Sequence, residues 1–240
     1  MKEIIIEGKG KNALGSAMMH GILDDIAAAA GQPLLIRGAG AAFSAGLDLR
    51  EVASLAPEKM AEFLHLLENL FTTLYQHPAP TAALVNGHAI AGGCVLAMCC
   101  DVRIAAADPS IKIGLNEVAL GVVFPPRTLA IVRSRLPPRY TDEVLLGAGL
   151  YAPEAARTHG FVDEVSAEAE ALATRRLEAL SAHPRAAYVA VKRDVHGGAP
   201  EDLASDDVLE RYVAESLPLW TGDALKAKIA AVLGGGGPKA

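Results

Sequence analysis

Thr81-Ala82-Ala83-Leu84-Val85-Asn86-Gly87-His88-Ala89-Ile90-Ala91-Gly92-Gly93-Cys94-Val95-Leu96-Ala97-Met98-Cys99-Cys100 is the stretch on which the fold turns. Ala82–Val85 is short, apolar and uninterrupted, as a strand buried on both faces must be. A loop rich in Gly and Ala, Asn86–Cys94, then opens an apolar helix at Val95–Cys100. Small side chains there leave backbone N–H groups within reach of a ligand, or simply permit a tight strand-to-helix turn; the loop alone does not choose.

The same arrangement stands upstream. Leu34–Ile36 reads as a buried strand, and Gly38-Ala39-Gly40-Ala41-Ala42-Phe43-Ser44-Ala45-Gly46-Leu47-Asp48-Leu49-Arg50 leaves it and runs into a helical pattern. Ile4–Ile6 and Val102–Ala106 are further short apolar runs, followed by Gly or Asp. Between them, Pro57–Gln76 carries Met60, Phe63, Leu64, Leu67, Leu70, Phe71 and Leu74, a helical stripe with proline at its first turn. This alternation predicts an α/β fold. From Pro153 the chain turns helical, over Pro153–His159, Ala167–Ser181, Arg185–His196, Pro200–Ser216 and Ala224–Leu233, with one strand at Phe161–Val165. The expected division is a core over residues 1–182, a helical region over 183–233 and a flexible tail over 234–240.

Composition bounds the function. The 240 residues carry 22 Lys and Arg against 28 Asp and Glu, a net charge of −6, with 51% apolar residues and 5% aromatic. The apolar share supports a core and excludes wholesale disorder. Without clustered basic runs, no nucleic-acid partner is expected. The three cysteines, Cys94, Cys99 and Cys100, form no paired framework, which fits a reduced, cytoplasmic setting. No run is long enough to span a membrane, so no membrane partner is expected.

Among single residues, Glu117 stands out as one carboxylate in the apolar stretch Ile113-Gly114-Leu115-Asn116-Glu117-Val118-Ala119-Leu120-Gly121. Burial there would raise its pKa and suit it to general-base work near neutral pH; a solvated residue at a helix start is the plain alternative. Gly8-Lys9-Gly10-Lys11-Asn12-Ala13 follows a strand as a dinucleotide fingerprint would, but the second strand ends in Arg37 instead of an acidic residue, which favours a turn. His88 reads as a hydrogen-bonded loop residue, Cys94 as a small buried hydrophobe, and Ser44 lacks a nucleophile elbow. The histidines show no metal-ligand spacing, and Arg37, Arg50 and Arg103 stay unassigned.

Taken together, Phe43-Ser44-Ala45-Gly46-Leu47-Asp48-Leu49, Asn86-Gly87 through Ala91-Gly92-Gly93-Cys94, Asp101, and Gly114-Leu115-Asn116-Glu117 through Leu120-Gly121 resemble the crotonase (enoyl-CoA hydratase/isomerase) superfamily. The resemblance runs from about Ala13 to Val165. It implies a spiral core of ββα repeats, a C-terminal helical trimerisation region, a homotrimer or dimer of trimers, and an acyl-CoA substrate. It also implies an oxyanion hole from the N–H groups of Ala45 and Gly92, with Leu47, Asp48, Leu49 and Gly93 completing the substrate site. No cofactor is expected beyond the CoA of the substrate itself, and no metal.

One departure decides the subclass. Hydratases of this superfamily carry a second glutamate directly after the Gly-Gly-Cys turn, where this chain has Val95. A single base at Glu117 looks most like the Δ3,Δ2-enoyl-CoA isomerases, in which one carboxylate moves a proton from C2 to C4. A divergent hydratase, another enolate-forming acyl-CoA enzyme and a non-catalytic acyl-CoA-binding subunit remain open. The residues Val95, Val118, Val122, Val123 and Phe124 are expected to keep water from the site.

Overall fold

The computed structural model describes residues 1–197 and 204–234. Five strands form one parallel sheet: β1 (Lys2–Ile6), β2 (Leu34–Gly38), β4 (Thr81–Val85), β6 (Val102–Ala106) and β9 (Glu164–Ser166), in the spatial order β1-β2-β4-β6-β9. Register runs Ile4↔Ile36, Ile36↔Ala83 and Leu84↔Ile104. The sheet is covered on both faces, which is why its strands read as continuous apolar runs.

Four shorter strands make a second sheet: β3 (Ala42–Ser44), β5 (His88–Ile90), β7 (Ile113–Gly114) and β8 (Leu150–Tyr151), in that order, parallel except for the β7/β8 pair. Each inner strand β2, β4 and β6 therefore turns sharply, adds a short strand to the second sheet, and enters a helix. Those helices are Leu49–Ser54, Gly92–Met98 and Glu117–Leu120. This is the ββα repeat that the resemblance implies. The two glycine-rich loops thus carry β3 and β5 and do not run straight into helices, and the second helix begins at Gly92, earlier than Val95.

The long helix Pro57–Tyr75 buries Met60, Phe63, Leu64, Leu67, Leu70, Phe71 and Leu74, the stripe read from sequence. Each such side chain contributes roughly 1.5–3 kcal/mol when fully buried. Further on, Phe161 and Val162 are buried in a turn and β9 starts only at Glu164, because Asp163 leaves the strand to pair with Arg103 (2.6 Å). The expected helix Pro200–Ser216 is a helix over Asp206–Arg211 with a wider π turn at Tyr212–Ser216; its start at residues 200–203 lies outside the described residues, as does the tail from 235.

Asp101 ties the helix Arg185–Val195 to the sheet. Its Oδ2 accepts hydrogen bonds from Thr81 N (2.8 Å), Thr81 Oγ1 (3.1 Å), Tyr188 Oη (2.9 Å) and Lys192 Nζ (2.7 Å). Burial lowers the Lys192 pKa, an effect that the Asp101 charge opposes.

Candidate active site

Where the two small-residue loops meet, the second sheet and the C-terminal helices enclose a cavity of about 260 Å³. Its walls include Ala45, Leu47, Leu49, Ile90, Gly92, Val95 and Glu117, together with Leu67, Phe71, Thr128, Trp220 and Leu225. Apart from Asn116, Glu117 and Thr128, the lining is almost entirely apolar.

Glu117 follows β7 and opens the short helix Glu117–Leu120, which Gly121 ends in a left-handed conformation (φ +81°). Its side chain is 7% exposed and its Oε2 has no hydrogen-bond partner among the described residues, while burial pushes the carboxyl pKa up to about 8. No compensating cation is among the causes of that shift, so desolvation wins. Asn116 Oδ1 and Thr128 Oγ1 are also buried without partners among the described residues. Buried polar atoms are normally paired, and such a concentration on one cavity marks a site built to face a ligand.

The loops meet through glycine. Gly46 adopts φ +87°, and a Cβ there would lie 2.8 Å from Ile90 O and 3.4 Å from Gly92 N. Ala91 takes φ +50° and ψ −126°, a costly conformation for a residue with a Cβ, as it turns the chain into the helix Gly92–Met98. Gly92 occupies the first helical position, where the amide has no intrahelical acceptor, and it lines the cavity.

The other amide expected at the site is already occupied. Ala45 lines the cavity, but its N–H donates to Lys11 O (3.0 Å) and is not free for an oxyanion. Leu47 also lines the cavity. It bridges Leu14 through Leu14 N to Gly46 O (2.7 Å) and Asp48 N to Leu14 O (3.1 Å). Successive peptides of an extended segment point in opposite directions, so the Leu47 N–H turns away from Leu14.

Two other expected contacts have structural roles here. Asp48 caps the helix Leu49–Ser54, with Oδ1 accepting from Arg50 N (3.0 Å) and Glu51 N (3.4 Å), and it does not line the cavity. Gly93 lies behind the wall, where a Cβ would come within 2.3 Å of Ser44 O. Of the expected water-excluding residues, Val95, Val122, Val123 and Phe124 line the cavity, but Val118 faces outward and is exposed.

The remaining sequence candidates are structural. His88 Nδ1 accepts from Lys112 N (3.0 Å); Ser44 is buried and donates to Asn12 O (2.8 Å). Burial pushes the Cys94 thiol well above its ordinary range. Arg37 pairs with Glu3 and Arg103 with Asp163. Gly8–Ala13 is a tight turn with Gly10 and Lys11 left-handed. Sequence reasoning missed lining residues along the chain, such as Ile90, Asn116 and Thr128, and at its far end Trp220, Leu225 and Val232, which complete the wall. The only signal for the far-end group was that Trp220 is the sole tryptophan.

A model of the enoyl-CoA hydratase/isomerase family matches residues 4–218. The chain belongs to the enoyl-CoA hydratase/isomerase family. Within the family, it is 38% identical over 126 residues to the mitochondrial enoyl-CoA delta isomerase 1 of Mus musculus, an alignment that spans 52% of this chain and 44% of the mouse protein. It is 32% identical over 193 residues to an enoyl-CoA isomerase/hydratase of Mycosarcoma maydis, covering 77% of this chain and 68% of that protein. Among solved family structures, an Mtb enoyl-CoA isomerase superposes with a TM-score of 0.78 at 28% identity over 89% of this chain and 93% of the other. Human mitochondrial Δ3,Δ2-enoyl-CoA isomerase shares the fold with a TM-score of 0.84 at 23% identity, over 97% and 92% of the two chains. The chain thus spans less than half the length of the mouse relative.

Proposed function

We propose that this chain is a Δ3,Δ2-enoyl-CoA isomerase that acts through one carboxylate. The observation that carries the reading is that Glu117 is the one carboxyl among the described residues lining an apolar cavity, and that the helix Gly92–Met98 presents Val95 to the same cavity where a second acid would stand. Ionised Glu117 takes a proton from C2 of a 3-enoyl thioester, and the electron pair moves through the thioester to its carbonyl oxygen. The resulting dienolate is stabilised by the N–H groups of Leu47 and Gly92; loss of one such donor costs about 10²–10³ in rate. Glu117 then returns the proton at C4, which moves the double bond to C2 and regenerates the carboxylate.

Hydration needs a water oriented by two groups, and Val95 offers it none. Ala45, Leu47 and Leu49 hold the CoA end near the mouth in this reading. The assembly is a homotrimer or dimer of trimers, for which a stable monomer in light scattering is the contrary result. The buried thiols Cys94, Cys99 and Cys100 suit a reducing compartment such as the cytoplasm. Mixing the protein with 3-hexenoyl-CoA and following conjugated-thioester absorbance tests the activity; no rise refutes it.

A further inference from the structure

Trp220 is the chain's single tryptophan, and its indole is 5% exposed in the wall of the cavity that holds Glu117. It reaches that wall on the turn Leu217–Trp220, which packs against the long helix Pro57–Tyr75, the helix that contributes Leu67 and Phe71. Burial grades along the cavity. Ala45, Leu47, Leu49 and Ile90 are half-buried, whereas Leu67, Phe71, Thr128 and Trp220 are buried. The half-buried group is open to solvent, as a mouth must be, and Trp220 belongs to the buried group.

We propose that Trp220 is the floor of the acyl pocket and limits the acyl group to no more than about ten carbons. The inference rests on the acyl-thioester reading of the site and adds a chain-length determinant to it. A cavity of roughly 150 Å³ accepts a six-carbon ring, so about 260 Å³ has room for at most about ten carbon-sized groups, less whatever the CoA end fills at the mouth. An indole is a rigid plate with two rotatable bonds, and in a close-packed interior it cannot swing aside for a longer chain without displacing its neighbours.

Because no other tryptophan is present, intrinsic fluorescence reports on this floor directly. The wild-type protein is titrated with CoA and with hexanoyl-, octanoyl- and tetradecanoyl-CoA, saturated thioesters that have no double bond to move. CoA alone leaves the emission unchanged, and octanoyl-CoA shifts it saturably. Affinity rises about fourfold per buried methylene up to the limit and then falls. In Trp220→Ala, calorimetry shows tetradecanoyl-CoA gaining at least tenfold on octanoyl-CoA, while Trp220→Phe keeps the wild-type order. Octanoyl- and tetradecanoyl-CoA binding equally well to wild type with no change in emission overturns the proposal, as does an unaltered order in folded Trp220→Ala. If that variant does not fold, the wild-type titration decides alone. A protein inactive on 3-enoyl-CoA that still shows this profile loses the isomerase reading and keeps the floor; binding of no thioester at any length removes both.

Discussion

Replacing Glu117 by glutamine should lower activity and raise stability, and the size of the second effect follows from burial. The side chain is 7% exposed and its carboxyl pKa is raised from 4.5 to about 8. In the unfolded chain this group ionises near 4.5, while the folded protein holds it protonated until about pH 8. The unfolded state therefore binds fewer protons than the native state across that window. The stability this group contributes is fully present below pH 4.5 and is lost as pH rises towards 8. At 1.36 kcal/mol per pKa unit, the loss reaches on the order of 5 kcal/mol by pH 8. Glutamine keeps the shape and cannot ionise, so urea unfolding should show the variant gaining on wild type by several kcal/mol between pH 5 and pH 8. Over the same interval, wild-type kcat/KM should climb with pH and level off above about 8, because only the ionised carboxylate is a base. The variant should turn over about 10²–10⁴ times more slowly. Parallel stability curves for the two proteins, or an unchanged rate, would refute the buried-base assignment.

Other substitutions probe the framework around that base. Val95→Glu should place a second acid beside the reacting segment and raise hydration of 2-enoyl-CoA, while unfolding measurements at pH 8 register a loss of about 3–5 kcal/mol for an unpaired buried charge. Gly93→Ala forces a methyl to within 2.3 Å of Ser44 O, so thermal melting should report a loss of at least about 1–3 kcal/mol. Asp101→Asn leaves Lys192 buried without its counter-charge and should cost about 3–5 kcal/mol in chemical denaturation, with no direct effect on the cavity.

The repeating core is legible in the chain because strands buried on both faces write themselves as uninterrupted apolar runs, as Leu34–Ile36 and Ala82–Val85 do. The helix from Pro57 is equally plain, its stripe and its first-turn proline agreeing. The second sheet is not. Its strands have two or three residues, built from segments such as Ala42-Phe43-Ser44 that carry no alternation, and only pairing with distant strands defines them. Glu117 was visible as an isolated charge among apolar residues, since desolvation depends on neighbours the local sequence already names. That Lys11 O takes the Ala45 amide, and that Leu14 pairs with the peptides on either side of Leu47, was not visible, because both depend on contacts with a distant segment. Trp220 lies more than a hundred residues from Glu117, and its place at the cavity is a matter of tertiary packing alone.

Proton bookkeeping tests the single-carboxylate account most directly. With 3-hexenoyl-CoA deuterated at C2 and protein in ordinary water, early product is analysed by mass spectrometry for deuterium at C4. Glu117 is buried against an apolar cavity, so the account predicts that part of the label removed from C2 reappears at C4, and that Glu117→Gln abolishes the transfer along with turnover. Product that carries only solvent hydrogen at C4, formed as fast by the variant as by the wild type, would contradict it.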